Sequence, residues 1–175
     1  MLCVFRYPVS SVCVCSNKIN VKILLKLLSR LGWPVPSSSI GGDPAGPCVV
    51  ALDGLQCLRM LEATLELPDA ADRLPQLILM DIAMQGMDGL DCTARIRSVL
   101  DARYAALSVS PPYIIACTAT ISQQNRRQCA AVGMNAFLAK PLSVEALVAE
   151  IREADKHTKN NTAKRGAGHR NQHTS

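Results

Sequence analysis

Histidine is absent from the first 156 residues; His157, His169 and His173 all fall in the final stretch of the chain. The part expected to fold therefore has no imidazole for a catalytic dyad, a zinc site or a phosphohistidine. Aromatics are scarce, with two Phe, three Tyr and one Trp. Acids are missing before Asp43, and Arg6 and Pro8 break up residues 1–11, which makes that segment a poor signal peptide. No apolar run approaches the ~18 residues that a membrane span needs. Eight cysteines are scattered without a Cys-x-x-Cys pair. They read as reduced, small apolar residues of an intracellular protein, cytoplasmic or nuclear.

The formal net charge of +5 is misleading until it is located. Lys156, Lys159, Lys164, Arg165 and Arg170 account for all of it, because residues 156–175 contain no acid. The body before them is neutral and offers no broad polyanion-binding surface. The Asn/Thr/Gly/His composition of 156–175 marks a disordered basic tail. Nothing resembles a helix-turn-helix, so a DNA-binding output is not expected. At 175 residues the chain has the length of one domain plus a tail.

The most informative stretch is Leu77-Ile-Leu-Met-Asp81, followed by Gly86-Met-Asp-Gly89 and a helical pattern. A short continuous apolar run ending in turn signals is a strand buried on both faces, expected here over residues 76–81. An acid at its end sits where open α/β sheets place their chemistry, and a carboxylate gains nothing from the core. The competing explanation for Asp81 is a helix-capping or turn acid. Further strands are expected at 12–15, 48–51, 113–118 and 136–139. Helices are expected from the Asn17 or Ser16 cap to Leu31, from Asp53-Gly54 to about Leu67, and from Gly89 or Leu90 to about Arg103. Two more run from Ser122 to Gly133 and from Ser143 to about Asp155.

The first helix presents Ile19, Ile23, Leu24, Leu27, Leu28 and Leu31 at helical spacing. Its Lys18, Lys22, Lys26 and Arg30 recur every four residues and read as a solvated face rather than a membrane surface. The second helix lines up Leu55, Leu58, Leu61 and Leu65. The third turns Cys92, Ile96 and Val99 or Leu100 inward. Residues 33–47, rich in Pro, Ser and Gly, form an inserted loop, and 68–75 and 104–112 are connections. Strands alternating with helices imply an α/β fold, a doubly wound five-stranded parallel sheet with helices on both faces.

Two ordered blocks carry a resemblance. Leu79-Met-Asp-Ile-x-Met-x-x-Met-Asp-Gly89 resembles the phosphoacceptor segment of response-regulator receiver domains, found alone or in hybrid histidine kinases. Ile114-Ile-Ala-Cys-Thr-Ala119 and Ala130-Ala-Val-Gly-Met-Asn-Ala-Phe-Leu-Ala-Lys-Pro141 resemble that family's fourth strand, fourth helix, fifth strand and Lys-Pro turn. The resemblance implies the flavodoxin-like strand order 2-1-3-4-5 in a receiver domain spanning 12–155. It leaves 1–11 as an N-terminal extension. It implies a phosphorelay role: Asp81 accepts a phosphoryl group from a histidine kinase or histidine phosphotransfer protein in trans. In this scheme Lys140 pairs with a phosphoryl oxygen, Thr118 donates its hydroxyl, and Phe137 is the aromatic switch. The Lys140–Pro141 bond is expected to be cis. The chain would not be an enzyme beyond helping the transfer to its own Asp81.

The same resemblance exposes a departure. Receivers hold Mg²⁺ with two acids at the end of strand one, and alignment on Asn17 puts Cys15 and Ser16 there. The metal ligands left are Asp81 and the backbone carbonyl of Ala83. A thiol and a hydroxyl substitute poorly for carboxylates, so weak Mg²⁺ binding and slow phosphorylation are expected. Gln85 replaces the usual proline, a milder change. Two expectations follow: a degenerate pseudo-receiver working as a phosphate-independent interaction module, or residues 1–16 read through from an intron. The Val-Cys-Val-Cys-Ser segment before Asn17 would suit the second. An aspartyl phosphohydrolase is disfavoured, because Ala83 occupies the position of its general acid.

Overall fold

The computed structural model describes residues 11–14, 17–32, 35 and 48–168. Five strands, β1 (Ser11–Val14), β2 (Cys48–Ala51), β3 (Leu77–Asp81), β4 (Tyr113–Thr118) and β5 (Ala136–Ala139), form one sheet in the order β2-β1-β3-β4-β5. All neighbouring pairs are parallel. The architecture and strand order are those expected. The extension 1–11 and the inserted loop 33–47 lie outside the described residues, apart from Ser11 and Val35.

Every residue of β3 and β4 is buried. Their alternate side chains feed two cores, one on each face, as a period of two requires. Ile78, Met80, Ile114 and Ala116 enter the core under α2 (Gly54–Leu65) and α4 (Gly89–Arg95). Leu77, Leu79, Ile115 and Cys117 enter the core under α1 (Lys18–Arg30) and α7 (Val144–Gly168). Layers on both sides hold the sheet fixed, so its carboxyl rim is a rigid platform.

Several helices differ from the sequence reading. In α1, capped by Asn17, the buried set is Val21, Leu24, Leu25 and Leu28, while Ile19 and Ile23 are exposed. This helix has apolar residues on two faces, so spacing alone fits either phase. In α2 Leu55 is exposed and Cys57 is buried in its place. The connection after α2 contains a short helix, α3 (Ala70–Arg73), braced by an Asp69–Arg73 pair at 2.6 Å.

The third expected helix does not stop at Arg103. α4 passes through a π-helical turn, Ile96–Leu100, into α5 (Asp101–Ala106). The wider turn rotates the register, which buries Leu100 and leaves Val99 exposed. It also carries Tyr104, assigned from sequence to a linker, into full burial. The Tyr104 hydroxyl is buried with no hydrogen-bond partner, and burial pushes its phenol pKa up. An unmet buried hydroxyl costs about 1–3 kcal/mol. Tyr104→Phe is therefore expected to raise the urea midpoint, and a lower midpoint would contradict this.

The expected helix end at Asp155 is also corrected. α7 continues to Gly168, so 156–168 is helical rather than a disordered tail. No helix breaker intervenes before the glycines, and local pairs support the extension. Lys156 reaches Glu153 at 2.7 Å, Lys159 reaches Asp155 at 2.6 Å, and the Thr158 hydroxyl donates to Ala154 O at 3.0 Å. His157 consequently belongs to the folded part, its ring edge-on to Tyr113 at 5.4 Å. Burial, with Arg97 adding to it, holds the His157 pKa below its ordinary value. Tyr113 begins β4, at the opposite end from Thr118, so this imidazole is not at the carboxyl rim. No described helix is long and apolar enough to cross a membrane.

Candidate functional site

The strand ends stay zipped together past their last residues. Ile82 N donates to Cys117 O at 3.1 Å, and Lys140 N donates to Thr118 O at 2.7 Å. Parallel register sets Asp81 beside Cys117, and Thr118 beside Ala139. Asp81, Thr118 and Lys140 thus leave adjacent strands at the same rim, where doubly wound sheets hold their ligands.

Asp81 is 4% exposed. Its Oδ2 accepts a hydrogen bond from Lys140 Nζ at 2.5 Å, and its Oδ1 accepts one from the Ala83 backbone N–H at 3.3 Å. A buried carboxylate at the end of an apolar strand requires such a counter-charge. The Lys140–Pro141 bond is cis, as the resemblance implied. The geometry therefore joins a buried carboxylate to a compact cation.

Thr118 shares the rim, but its hydroxyl is engaged within the β4–α6 loop, where α6 spans Gln123–Ala131. It donates to Thr120 O at 3.3 Å and accepts from Thr120 N at 3.2 Å. Phe137, on β5, is half-buried and lines a groove of about 310 Å³ with Arg126, Cys129, Met134 and Glu150. The Arg126 guanidinium lies 5.1 Å from its ring centroid. Gln85 lines a shallow hollow with Asp53, Met87 and Arg95.

Sequence reasoning missed Gly89 as a site residue. It is the first residue of α4 and donates its N–H to Ile82 O at 3.0 Å. A Cβ there would lie 2.3 Å from Asp81 O and 2.9 Å from Ile82 Cα. The helix thus approaches the back of the Asp81 peptide closer than any side chain permits. The Asp88-Gly89 pair was the available signal, and it was read as a turn, a motif position and a helix start but not as a close approach.

The ligand set for a divalent cation is thin. Described residues hold no cluster of three His, Cys, Asp or Glu side chains. They offer the Asp81 carboxylate, already paired with Lys140, and the Ala83 backbone. β1 ends at Val14, opposite Met80, and Cys15 and Ser16 lie outside the described residues. One carboxylate, already neutralised by Lys140, and one carbonyl leave most of the octahedral oxygen shell of Mg²⁺ to water. The described donors do not fit a tight Mg²⁺ site.

Fold and rim define a doubly wound α/β protein with a paired carboxylate and ammonium at the carboxyl ends of its strands. The family is narrower: residues 50–152 match the response regulator receiver domain, and this chain belongs to that family. It is 28% identical over 149 residues to hybrid signal transduction histidine kinase H of Dictyostelium discoideum, covering 85% of this chain and 9% of that protein. It is 29% identical over 142 residues to histidine protein kinase 1 of Candida albicans, covering 81% of this chain and 5% of that protein. The chain therefore spans less than a tenth of the length of these two relatives. Among solved structures it is similar to the receiver of Saccharomyces cerevisiae Ssk1, crystallised with the histidine phosphotransfer protein Ypd1 (23% identity, TM-score 0.64, 83% of this chain and 87% of that one). It is also similar to the receiver of the Pseudomonas aeruginosa sensor kinase PA1611, which holds magnesium in its active-site cleft (24% identity, TM-score 0.58, 83% and 95% covered). Receivers are signalling modules of two-component phosphorelays rather than classical enzymes, and they generally bind Mg²⁺.

Proposed function

We propose that this receiver accepts a phosphoryl group on Asp81 from a phosphohistidine of a kinase or phosphotransfer protein supplied in trans. The observation that carries the reading is the Asp81–Lys140 pair at the carboxyl rim. An Asp81 oxygen would form the new P–O bond while the P–N bond to imidazole breaks and the imidazole leaves with its electron pair, taking up a proton. The Lys140 side chain is 21% exposed, so an incoming phosphoryl group could meet its ammonium. Its charge would move from the carboxylate to the more highly charged group. Thr118 would then have to rotate its hydroxyl from Thr120 O toward the phosphoryl group. The receiver thus assists its own modification without turning over a separate substrate.

A second reading has specific support: the described residues supply few metal donors, and the Thr118 hydroxyl is committed elsewhere. Both suit a pseudo-receiver that binds partners without phosphate. Incubation with acetyl phosphate, with and without Mg²⁺, decides between them by intact mass. The phosphoacceptor reading expects a slow phosphoryl mass gain that Asp81→Asn abolishes. No gain in the wild-type chain, or an undiminished gain in Asp81→Asn, would remove it.

A further inference from the structure

The first turn of α6 touches both halves of the expected switch. The side-chain Nδ2 of Asn125 donates to Thr120 O at 3.1 Å, the same carbonyl that receives the Thr118 hydroxyl. Asn125 N is itself held by Ser122 Oγ at 3.0 Å, so this turn is fixed to the loop. One residue on, Arg126 lies over the Phe137 ring. The loop that detains Thr118 and the ring at position 137 therefore meet on consecutive residues of one helix.

We propose that Arg126 is a positioning residue for Phe137: its guanidinium holds the ring in the groove between α6, β5 and α7, setting the resting arrangement of the site. The ring needs such a hold. Phe137 is half-buried, and on its groove side lies about 310 Å³ of open space. A ring with no close-packed atoms on one face forfeits dispersion contacts there and is free to change rotamer. The positive guanidinium over the negative face of the ring favours the seated rotamer by about two- to fivefold, the value of an exposed cation–π contact. Coupling of the ring to Asp81 chemistry rests on the phosphoacceptor reading above, whereas the seating itself does not.

The chain has two phenylalanines, Phe5 and Phe137. This 175-residue chain labelled with para-fluorophenylalanine therefore gives two fluorine resonances, and Phe5→Leu assigns them. Arg126→Met keeps a long side chain and deletes the charge. It is expected to shift the resting Phe137 resonance and sharpen it by faster exchange, while Arg126→Lys restores much of the wild-type position. A Phe137 resonance unchanged in Arg126→Met overturns the proposal, as does a shift that Arg126→Lys fails to reverse. An acetyl phosphate arm separates the two ideas. If the wild-type chain gains no mass, the phosphoacceptor reading fails while the resting comparison still judges Arg126. If it gains mass, the displacement of the Phe137 signal on phosphorylation is expected to be smaller in Arg126→Met, because the variant starts part-way.

Discussion

Gly89→Ala is expected to lose stability and to disturb Asp81, although alanine is normally the better helix residue. Two terms oppose each other. Replacing glycine inside a helix gains about 0.5–1 kcal/mol. Against it, the new Cβ would sit 2.3 Å from Asp81 O, with Ile82 Cα at 2.9 Å and Met80 Cγ at 3.0 Å. The two nearest atoms are backbone, so no side-chain rotation relieves the overlap. The strand end or the start of α4 has to move, at about 1–3 kcal/mol or more. The clash wins. Movement of the Asp81 peptide also pulls its carboxylate from Lys140 Nζ. The urea midpoint should therefore fall, and the rate of mass gain from acetyl phosphate should fall further than a merely less stable protein explains. Gly32→Ala is the control: Gly32 has φ +79° and nothing within 4 Å of an added Cβ. It should cost about 1–2 kcal/mol through its left-handed backbone and leave the site alone. A Gly89→Ala protein as stable as the wild type would refute the close-approach argument.

The sheet was legible because its strands are buried on both faces and must read as unbroken apolar runs. The strands at 48–51, 113–118 and 136–139 match the expected bounds, while β1 begins one residue earlier than expected and β3 one residue later. The rim was legible in part. Asp81 ends β3 and Lys140 directly follows β5, and topology alone brings their side chains together. Thr118 also ends a strand, but the direction of a hydroxyl depends on local loop bonds to Thr120 that spacing does not encode. Helices were harder. α1 has two apolar faces, and only contact with the sheet chooses Val21 and Leu25 over Ile19 and Ile23. The π turn at Ile96–Leu100 has no sequence signature of its own, so the choice of Leu100 over Val99 was left open and the burial of Tyr104 was missed. Composition misled at the C-terminal end. Residues 156–168 look like a disordered basic tail, yet the acids of the preceding turns pair with Lys156 and Lys159 and let α7 continue.

Arg97, which no motif singled out, sits in the π turn. Its side chain, 19% exposed, reaches across to two connections, the one before β4 and the one before β5. Nε donates to Gly133 O at 3.0 Å, and Nη2 donates to Pro112 O at 3.0 Å and to Asn135 Oδ1 at 2.9 Å. Asn135 in turn takes the Ile114 N–H on Oδ1 at 2.8 Å and gives its own N–H to Ile114 O at 2.8 Å. One guanidinium thus clamps the entries of β4 and β5 to the end of α6. Arg97→Met keeps the aliphatic reach and deletes the donors. Hydrogen bonds from a charged donor are worth about 1.5–3 kcal/mol each, and water can reach some of the freed acceptors, so a net loss of about 2–4 kcal/mol is expected.

The size of that loss should depend on pH. Burial raises the Asp101 carboxyl above its usual 3.8, and Arg97 opposes the rise. Without Arg97 it rises further, so the variant becomes relatively more stable as pH falls through that folded pKa toward 3.8. Arg97 also helps hold His157 below 6.5, an effect that costs the wild type stability as pH drops below 6.5. Removing the guanidinium relieves that cost in the same direction. Urea titrations of both proteins from neutral to mildly acid pH should show the stability gap narrowing steadily. A gap that stays constant would mean that Arg97 acts through its hydrogen bonds alone, and one that widens would contradict both electrostatic assignments.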